Sequence, residues 1–562
     1  PASGGGIISD LDREFLAGSG TELAPTPRQQ MYIQKLYLYM NMTKPSDRLY
    51  LFYSRMNGEG KALRPAYLID MVKRLFPSIR VERPEEASEV EQVQSLEDGK
   101  DWLVSALRRF ADGRMEPGGS KEREFVQLYR IYATAERTEK WTERMERSAF
   151  YEFRPKPLGR AAALALFGST LLSSVSRLEQ YASCAYAHFL QYGLRLRERD
   201  GFSFEAVDMG NLFHGVLEIF GDKLKEQGYT WFDFPAEAGN TLLEEAVDSY
   251  AASYGNTVLY DTARNQYIIT RIKRILKRTV ATLQYQLKKG AFWPEQFEVS
   301  FSVLEELDAV NIALTGEEKM RLQGRIDRVD TWEEGEAGAR RLYVKVIDYK
   351  SGTKDCSLAA LYYGLQLQLV VYMNAAMEME RRSHPDSKVL PAAMLYYRVH
   401  DPLVEMEEIP SQGAGEEEVQ EKLRSSLRMT GVVNGDGRVV EGLDGSFTQK
   451  SDVIPVERKK DGSFSARSSI LKETDFRVIS DYVNLKIREI GTDILKGEIA
   501  HNPCVPAGSG QTRDACTFCP YTRVCGFDRK IPGYGKRELE KLEETEALER
   551  MRRALDEAGE GE

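Results

Sequence analysis

GRIDRVD at residues 324–330 and RLYVKVIDYK at residues 341–350 are joined by the Glu- and Gly-rich run EEGEAGA. The second segment is β-branched, aromatic and alternating, which predicts a strand. Residues 319–332 predict another, with the acidic run as the hairpin turn between them. Residues two apart on a strand share a face, so Asp348 and Lys350 project side by side with Val344 and Val346 behind them. The hairpin brings Asp327 beside Asp348. Two carboxylates this close repel each other unless a cation lies between them, and hard oxygen ligands with open positions suit Mg²⁺ or Mn²⁺. A neighbouring lysine can position a water or stabilise charge on a phosphate in transit. As plain surface residues the same aspartates would pair with Arg325, Arg328 or Lys350 and contribute little. The rest of the chain decides between these readings.

Composition sets few limits. The chain has 562 residues, enough for two to four domains with sizeable cores. No apolar run is long enough to span a bilayer, and the N-terminus lacks a basic-then-apolar signal. A cytoplasmic protein without a membrane partner is therefore expected. The opening PASGGGIISD carries no initiator Met and suggests a fragment of a longer chain. The net charge is −10, from 77 Lys and Arg against 87 Asp and Glu. A non-specific phosphate reader usually shows a basic surface, yet acidic ligand sites and an acidic tail lower the total while a basic groove persists locally.

Residues 1–165 read as mostly helical with short strands. Residues 28–40 and 101–112 carry helical apolar spacing, RLYLFY at 48–53 reads as a buried strand, and residues 63–76 resume as a helix. Strand, turn at Asn57-Gly58 and helix predict an α/β piece. GEGK at 58–61 lacks the first glycine of a phosphate-binding G-x-x-x-x-G-K-[ST] loop, and Ala62 follows its lysine, so it is read as a turn.

From Gly168 the character changes. SRLEQYASCAYAHFLQYGLRL, from Ser176, predicts a long helix with Ser176 and Glu179 as a capping box and Cys184 beside its apolar stripe. The next helix, residues 204–227, buries Met209, Leu212, Phe213, Val216, Leu217 and Phe220 on one face. His214 sits at the edge of that stripe, one of only 5 histidines, and offers a nitrogen ligand to the carboxylate pair. Glu218, one turn on, is a weaker candidate. A basic helix at 271–289 reads as a solvated face or a phosphate track, with the track slightly favoured. Strands at 297–304 and 309–314 lead into the central hairpin. Beyond Lys350, LAALYYGLQLQLVVYMNAAMEME predicts one helix that places Gln368 and Tyr372 a turn apart, able to orient the lysine or a phosphate, or simply polar helix residues. A strand at 392–399 follows.

Taken in order, His214 in GNLFHGVLE, Asp327 in GRIDRVD, Asp348 and Lys350 in VIDYKSG, and Gln368 and Tyr372 in QLQLVVYM resemble the RecB-type branch of the PD-(D/E)XK nucleases. The match spans roughly residues 168–399. The resemblance implies that His214, Asp327 and Asp348 bind a catalytic divalent metal, that the backbone carbonyl of Tyr349 completes the protein ligands, and that Lys350 assists catalysis. Gln368 and Tyr372 match a further family motif near the lysine and DNA. Asp348 stands where Glu is common, a replacement the family allows.

Between His501 and Phe527 the chain carries Cys504, Cys516, Cys519 and Cys525, with CTFCPYTRVC at its centre. Thiols so crowded in a cytosolic protein argue for metal rather than disulfides. The C-x₂-C-x₅-C spacing with one remote cysteine, and Pro520 after the second thiol, suit an iron–sulfur cluster better than zinc, although a Cys₄ zinc site remains compatible. The fourth ligand could be Cys184 or Cys504, and on spacing alone Cys504 is the nearer choice. Here the chain is similar to the AddB-type subunits of bacterial AddAB helicase–nucleases, and that resemblance implies Cys184, Cys516, Cys519 and Cys525 around a [4Fe–4S] cluster that staples the two ends of the nuclease domain. Cys356 and Cys504 are then spare. A staple closing a loop of over three hundred residues removes much unfolded-state freedom.

The expected fold is therefore α/β, a restriction-endonuclease-like PD-(D/E)XK core at 166–400 with an iron–sulfur staple at 501–530, preceded by a helicase-like remnant at 1–165. Residues 401–500 read as an insertion and closing helix, and residues 531–562 as an exposed charged helix with an acidic tail. The resemblance implies a metal-dependent DNA exonuclease and endonuclease subunit, partnered by an AddA-type motor. It would act on single-stranded DNA and duplex ends in double-strand break repair and cut the 5′-terminated strand. A DNA-end-binding scaffold with a silent nuclease is the alternative; an iron–sulfur redox protein is disfavoured, since no second electron carrier or flavin motif occurs.

Overall fold

The computed structural model describes residues 10–20, 26–58, 60–82, 93–199, 206–253, 262–301, 307–308, 310–336, 339–352, 355–402, 416–506 and 514–560. The chain divides into two compact units, Pro1–Phe150 and Tyr151–Glu562.

The first unit holds Asp10–Gly18 (α1), Pro27–Thr43 (α2), Tyr67–Leu75 (α3), Leu96–Ala111 (α4), Ser120–Thr134 (α5) and Glu139–Ala149 (α6). Its core is small: Leu103, Ala106 and Leu107 pack on Phe125, Tyr132 and Met145. The strand expected at 48–53 does not form. Those residues are exposed and no described segment pairs with them, so β propensity has no sheet to join. Helix α2 fits the expected periodicity and is capped by a reciprocal Thr26–Gln29 box.

The second unit begins earlier than residue 166, because Arg160–Phe167 (α7) packs within it. Thr170–Ser173 (β1) follows, then Val175–Ser183 (α8), Ala185–His188 (α9) and a π-helical turn at Phe189–Gly193. The long helix expected from Ser176 is thus interrupted. Cys184 has extended backbone (φ −162°, ψ 112°), and the freed Ala185 N–H donates to Asn502 Oδ1 at 2.9 Å. Helix α8 starts one residue before Ser176, so no Ser176–Glu179 capping box exists. Ala206–Glu226 (α10), Ala236–Ser253 (α11) and Ala263–Lys288 (α12) then lead to Trp293–Phe301 (β2), Asn311–Ala313 (β3), Lys319–Leu322 (β4), Gly324–Glu334 (β5) and Arg341–Lys350 (β6). The single strand expected at 319–332 is two: β4 joins β1 and β3 in a separate three-stranded sheet, and the chain breaks at Gln323 before β5.

After β6 come Leu358–Tyr362 (α13), Gln368–Ser383 (α14), Lys388–Arg398 (β7), Glu416–Ser426 (α15), Thr430–Asn434 (β8), Gly437–Leu443 (α16), Ile470–Leu471 (β9), Glu473–Lys496 (α17), Cys504–Val505 (β10), Arg537–Glu538 (β11) and Glu544–Glu560 (α18). The one helix expected after Lys350 is broken at Gly364, whose left-handed φ of +77° ends α13 and redirects the chain. The main sheet has six strands in the order β2-β5-β6-β7-β8-β9. Strands β5 and β6 pair antiparallel and β6 and β7 parallel, which requires the helical crossover through α13 and α14. Within residues 401–500, β8 and β9 extend the main sheet.

Both faces of the sheet are covered. Val344 and Val346 point into a core shared with Leu178, Leu369, Met373, Ile487 and Met551. Tyr343, Ile347 and Tyr349 alternate into a second core with Leu212, Phe220, Leu276 and Leu283. The terminal helix is not exposed along its length: Ala547, Leu548 and Met551 of α18 are buried against the first of these cores, an apolar stripe hidden among its charges. Strands buried on both faces leave no water for their charges. Arg328 is 1% exposed, Asp330 0% and Lys345 7%, and they pair with one another, though Arg328 Nη1 has no hydrogen-bond partner among the described residues. Arg328 donates to both Asp330 oxygens at 2.6 and 2.7 Å, and Lys345 Nζ lies 2.7 Å from Asp330 Oδ2. Burial and the adjacent guanidinium push the Lys345 ammonium below its ordinary range. Replacing Asp330 with Ala strands two buried cations, so urea unfolding of the full-length protein should show a loss of about 3–5 kcal/mol; a loss under about 1 kcal/mol would mean that water reaches the pair.

Candidate active site

Strand pairing builds the carboxylate pair. The β5–β6 ladder ends with Arg328 opposite Ile347, and Asp327 and Asp348 are the next residues along the two strands. Asp327 Oδ2 accepts the Tyr349 backbone N–H at 2.6 Å, which fixes its rotamer against the strand carrying Asp348. Lys350 Nζ lies 2.5 Å from Asp348 Oδ2, as the two-residue spacing predicts. Helix α14 reaches this pair with one side chain. Gln368 accepts from Lys350 Nζ at 3.0 Å and donates at 2.9 Å to both Asp348 Oδ1 and Tyr372 Oη. The Tyr396 ring, opposite Asp348 on β7, lies under the Lys350 ammonium at 5.7 Å.

Helix α10 brings His214 to the other side. Its Nδ1 is 3.3 Å from Asp327 Oδ1 and 3.4 Å from Glu298 Oε1. Glu298 is the residue that sequence reasoning missed. It sits on β2 between the registered pairs Phe297–Arg328 and Val299–Ile326, with a positive φ of +50° that is rare outside glycine. A signal existed in the alternation of FEVSF, but nothing local distinguishes one strand glutamate from its neighbours. His214, Glu298 and Asp327 each place one ligand atom within 4.8 Å of the others. Glu218 stays outside this group and pairs with Arg325, which also donates to Glu298 at 3.0 Å. Four cations of the basic helix α12 pair within the fold: Lys273 with Asp248, Lys277 with Glu244, and Arg274 and Arg278 with Asp401.

The electrostatics of the group are those of a site short of positive charge. Burial raises the Asp348 carboxyl, Asp327 adds to the rise, and Lys350 only partly opposes it, so Asp348 is pushed up to about 7. Burial also raises Glu298. For His214 burial acts downward, but the hydrogen bonds and charges of Asp327 and Glu298 outweigh it and lift the imidazole to about 10. One imidazole and two carboxylates, His214, Glu298 and Asp327, form the donor group that fits a hard divalent ion, and Asp348 lies outside that group.

The cysteines form a second feature. Cys184, at the break between α8 and α9, lines one small cavity with Cys516, Cys519 and Cys525, enclosed by Tyr186, Leu190, His501 and Tyr521. Cys504 is buried on β10 outside that lining, with its Sγ 3.8 Å from Ser183 Oγ, and Cys356 packs against the main core. No three of these sulfurs lie within 4.8 Å of one another. Burial raises the thiols of Cys184, Cys516 and Cys519, with Cys516 reaching about 11, so without a bound cation they are neutral.

Residues 173–526 match the family model of the PD-(D/E)XK nuclease superfamily. The chain is 37% identical over 97% of its length to an ATP-dependent helicase/deoxyribonuclease subunit of Lachnoclostridium phytofermentans. It is 34% identical over 94% to the protein of the same name from Pelotomaculum thermopropionicum, and 34% over 97% to that of Bacillus cereus. It covers 45%, 45% and 46% of these relatives, so it spans about half the length of the curated proteins it matches.

Two outcomes follow from the site's charge balance. In the metal-free protein the folded state keeps the Asp348 proton up to about pH 7, while the unfolded chain releases it near 3.8. The folded state binds more protons across that window, so this group's contribution favours folding at the acid end and is lost as pH rises through about 7. Asp348→Asn removes the slope: in chelator, its stability relative to the unsubstituted protein should climb between these pH values, by at most about 1.4 kcal/mol per unit. A flat difference would mean Asp348 is ionised throughout. Separately, Glu298→Gln should weaken Mn²⁺ binding about tenfold in a calorimetric titration; unchanged affinity would place Glu298 outside the metal's reach.

Proposed function

Because the chain belongs to the PD-(D/E)XK nuclease superfamily, we propose that it is the nuclease-bearing part of a helicase–deoxyribonuclease complex, an AddB-type protein that trims DNA ends with an AddA-type motor as partner. The observation that carries this reading is the convergence of His214, Asp327, Asp348, Lys350 and Gln368 from separate elements onto one end of the β5–β6 ladder. His214, Asp327 and Asp348 would hold Mg²⁺ or Mn²⁺, with the Tyr349 carbonyl as the remaining protein ligand expected from the family resemblance and Glu298 added by proximity. Bound there, a divalent ion supplies Lewis acidity to the scissile phosphate and its leaving oxygen. The chain's own residues supply the rest. Lys350, held between Asp348 and Gln368, presents a fixed positive charge to the phosphate and can orient a water. Gln368 ties the two ends of that pair together, accepting from Lys350 and donating to Asp348, and Tyr372 fixes the amide's orientation through its hydroxyl. The Tyr349 N–H holds Asp327 in its ligand rotamer.

The four-cysteine cavity supports a [4Fe–4S] cluster on Cys184, Cys516, Cys519 and Cys525. Its role is mechanical, since it joins α8 at the front of the nuclease unit to the segment after α17. No helix among the described residues is long and apolar enough to cross a membrane. The substrates expected are single-stranded DNA and duplex ends, with the 5′-terminated strand cut.

The test is DNA cleavage by the anaerobically purified full-length protein, with and without its motor partner, in Mg²⁺ and in chelator, beside Asp348→Ala and with iron and sulfide assayed on the same samples. Cutting that disappears in Asp348→Ala and in chelator is the expected result. DNA-end binding at full iron content with no cutting in either assembly would instead mark a scaffold with a silent site.

A further inference from the structure

The Gln368 bridge is only as well placed as the helix that begins with it. Helix α14 starts at Gln368 with Leu367 as its N-cap, and Leu367 has no side-chain oxygen to accept the first N–H groups. Leu367 is 0% exposed and Gln368 half-buried, so water reaches these groups only in part. Their acceptor comes from far upstream. Glu179 Oε1, on α8, takes the Leu367 N–H at 2.8 Å and the Gln368 N–H at 3.2 Å.

Helix α8 is itself held. Leu178 and Ala182 on either side of Glu179 are buried in the same core as Leu367 and Leu369. Gly364 passes so close that a side-chain carbon there would sit 3.2 Å from the Ala182 methyl. At its C-terminal end the helix stops at Cys184, whose N–H closes on the Gln180 carbonyl, and Arg537 donates to the Ala182 carbonyl. A carboxylate fixed in this way at a helix N-terminus satisfies two orphan donors and complements the helix dipole.

Resting on the nuclease reading above, we propose that Glu179 is a positioning residue for the reaction: it sets the first turn of α14 so that the Gln368 amide bridges Asp348 and Lys350. It touches none of the reacting atoms. Without it the first turn can fray or rotate, and Lys350 then closes onto Asp348 alone.

The test compares Glu179→Ala with Glu179→Gln in the full-length protein, measuring kcat and KM on single-stranded DNA with Mg²⁺ and hydrogen exchange at the backbone of residues 367–372 in chelator. Glu179→Ala should lower kcat about 10- to 100-fold with KM changed less than about threefold, and should speed that exchange. Glu179→Gln keeps an oxygen for the same two N–H groups, so it should recover kcat to within about threefold and restore slow exchange. Equal losses in both variants, or unchanged kcat and exchange in Glu179→Ala, would overturn the proposal. If the unsubstituted protein does not cut with or without its motor partner, the nuclease reading fails on its own account, and exchange alone decides whether Glu179 holds the turn.

Discussion

Charge burial in a sheet covered on both sides is the constraint on which the rest depends. Strands β5 and β6 carry Arg328, Asp330, Lys345, Asp327 and Asp348 into a layer with almost no water. On one face the charges close on themselves, because Asp330 meets both Arg328 and Lys345. On the other they do not. Asp327, Asp348 and Glu298 outnumber Lys350 and His214, and the deficit appears as protons held on groups that would ordinarily be ionised differently. One hairpin thus gives a buried cluster of Asp330 with Arg328 and Lys345 on one face and an anion-rich, cation-seeking pocket on the other, since successive residues alternate faces.

The second constraint is closure over distance. The nuclease sheet is assembled from β2 to β9, but the helices that cover it come from both ends of the unit: α8 from the front, α17 and α18 from the back. Contacts so remote in sequence carry a large loop-closure entropy. The cavity of Cys184, Cys516, Cys519 and Cys525 lies where those ends meet, and the Asn502 side chain caps α9 at the same place. A covalent or metal staple at this point would act mainly on the unfolded chain.

These two constraints meet at α8. The helix that ends at Cys184 also carries Glu179, whose carboxylate receives the first N–H groups of α14. Thus the end-closing region and the lysine–glutamine–aspartate group share one rigid segment. The first unit has no comparable organisation among its described residues: many large apolar side chains on α2 and α3 are exposed, and its core rests on a few residues of α4, α5 and α6.

Much of this was legible from residue order. Alternation in RLYVKVIDYK gave the strand, the two-residue spacing put Lys350 beside Asp348, and helical spacing put Gln368 and Tyr372 on one face, because those relations are local and their geometry is set by the backbone period. Local reasoning failed where a distant partner decided the outcome. Residues 48–53 have strand propensity but no described strand to pair with, the helix from Val175 breaks at Cys184 where Asn502 caps the new turn, and Gly364 splits what periodicity read as one helix. Glu179 looked like half of a local capping box and instead caps a helix 188 residues away. Glu298 joined the site only because the β2–β5 register laid it against Asp327 and His214. By itself the sequence determined the chemistry available and the spacing within each element. Only the tertiary structure decided which charges share a dry space, because that depends on strand register and helix packing between residues that have no relation along the chain.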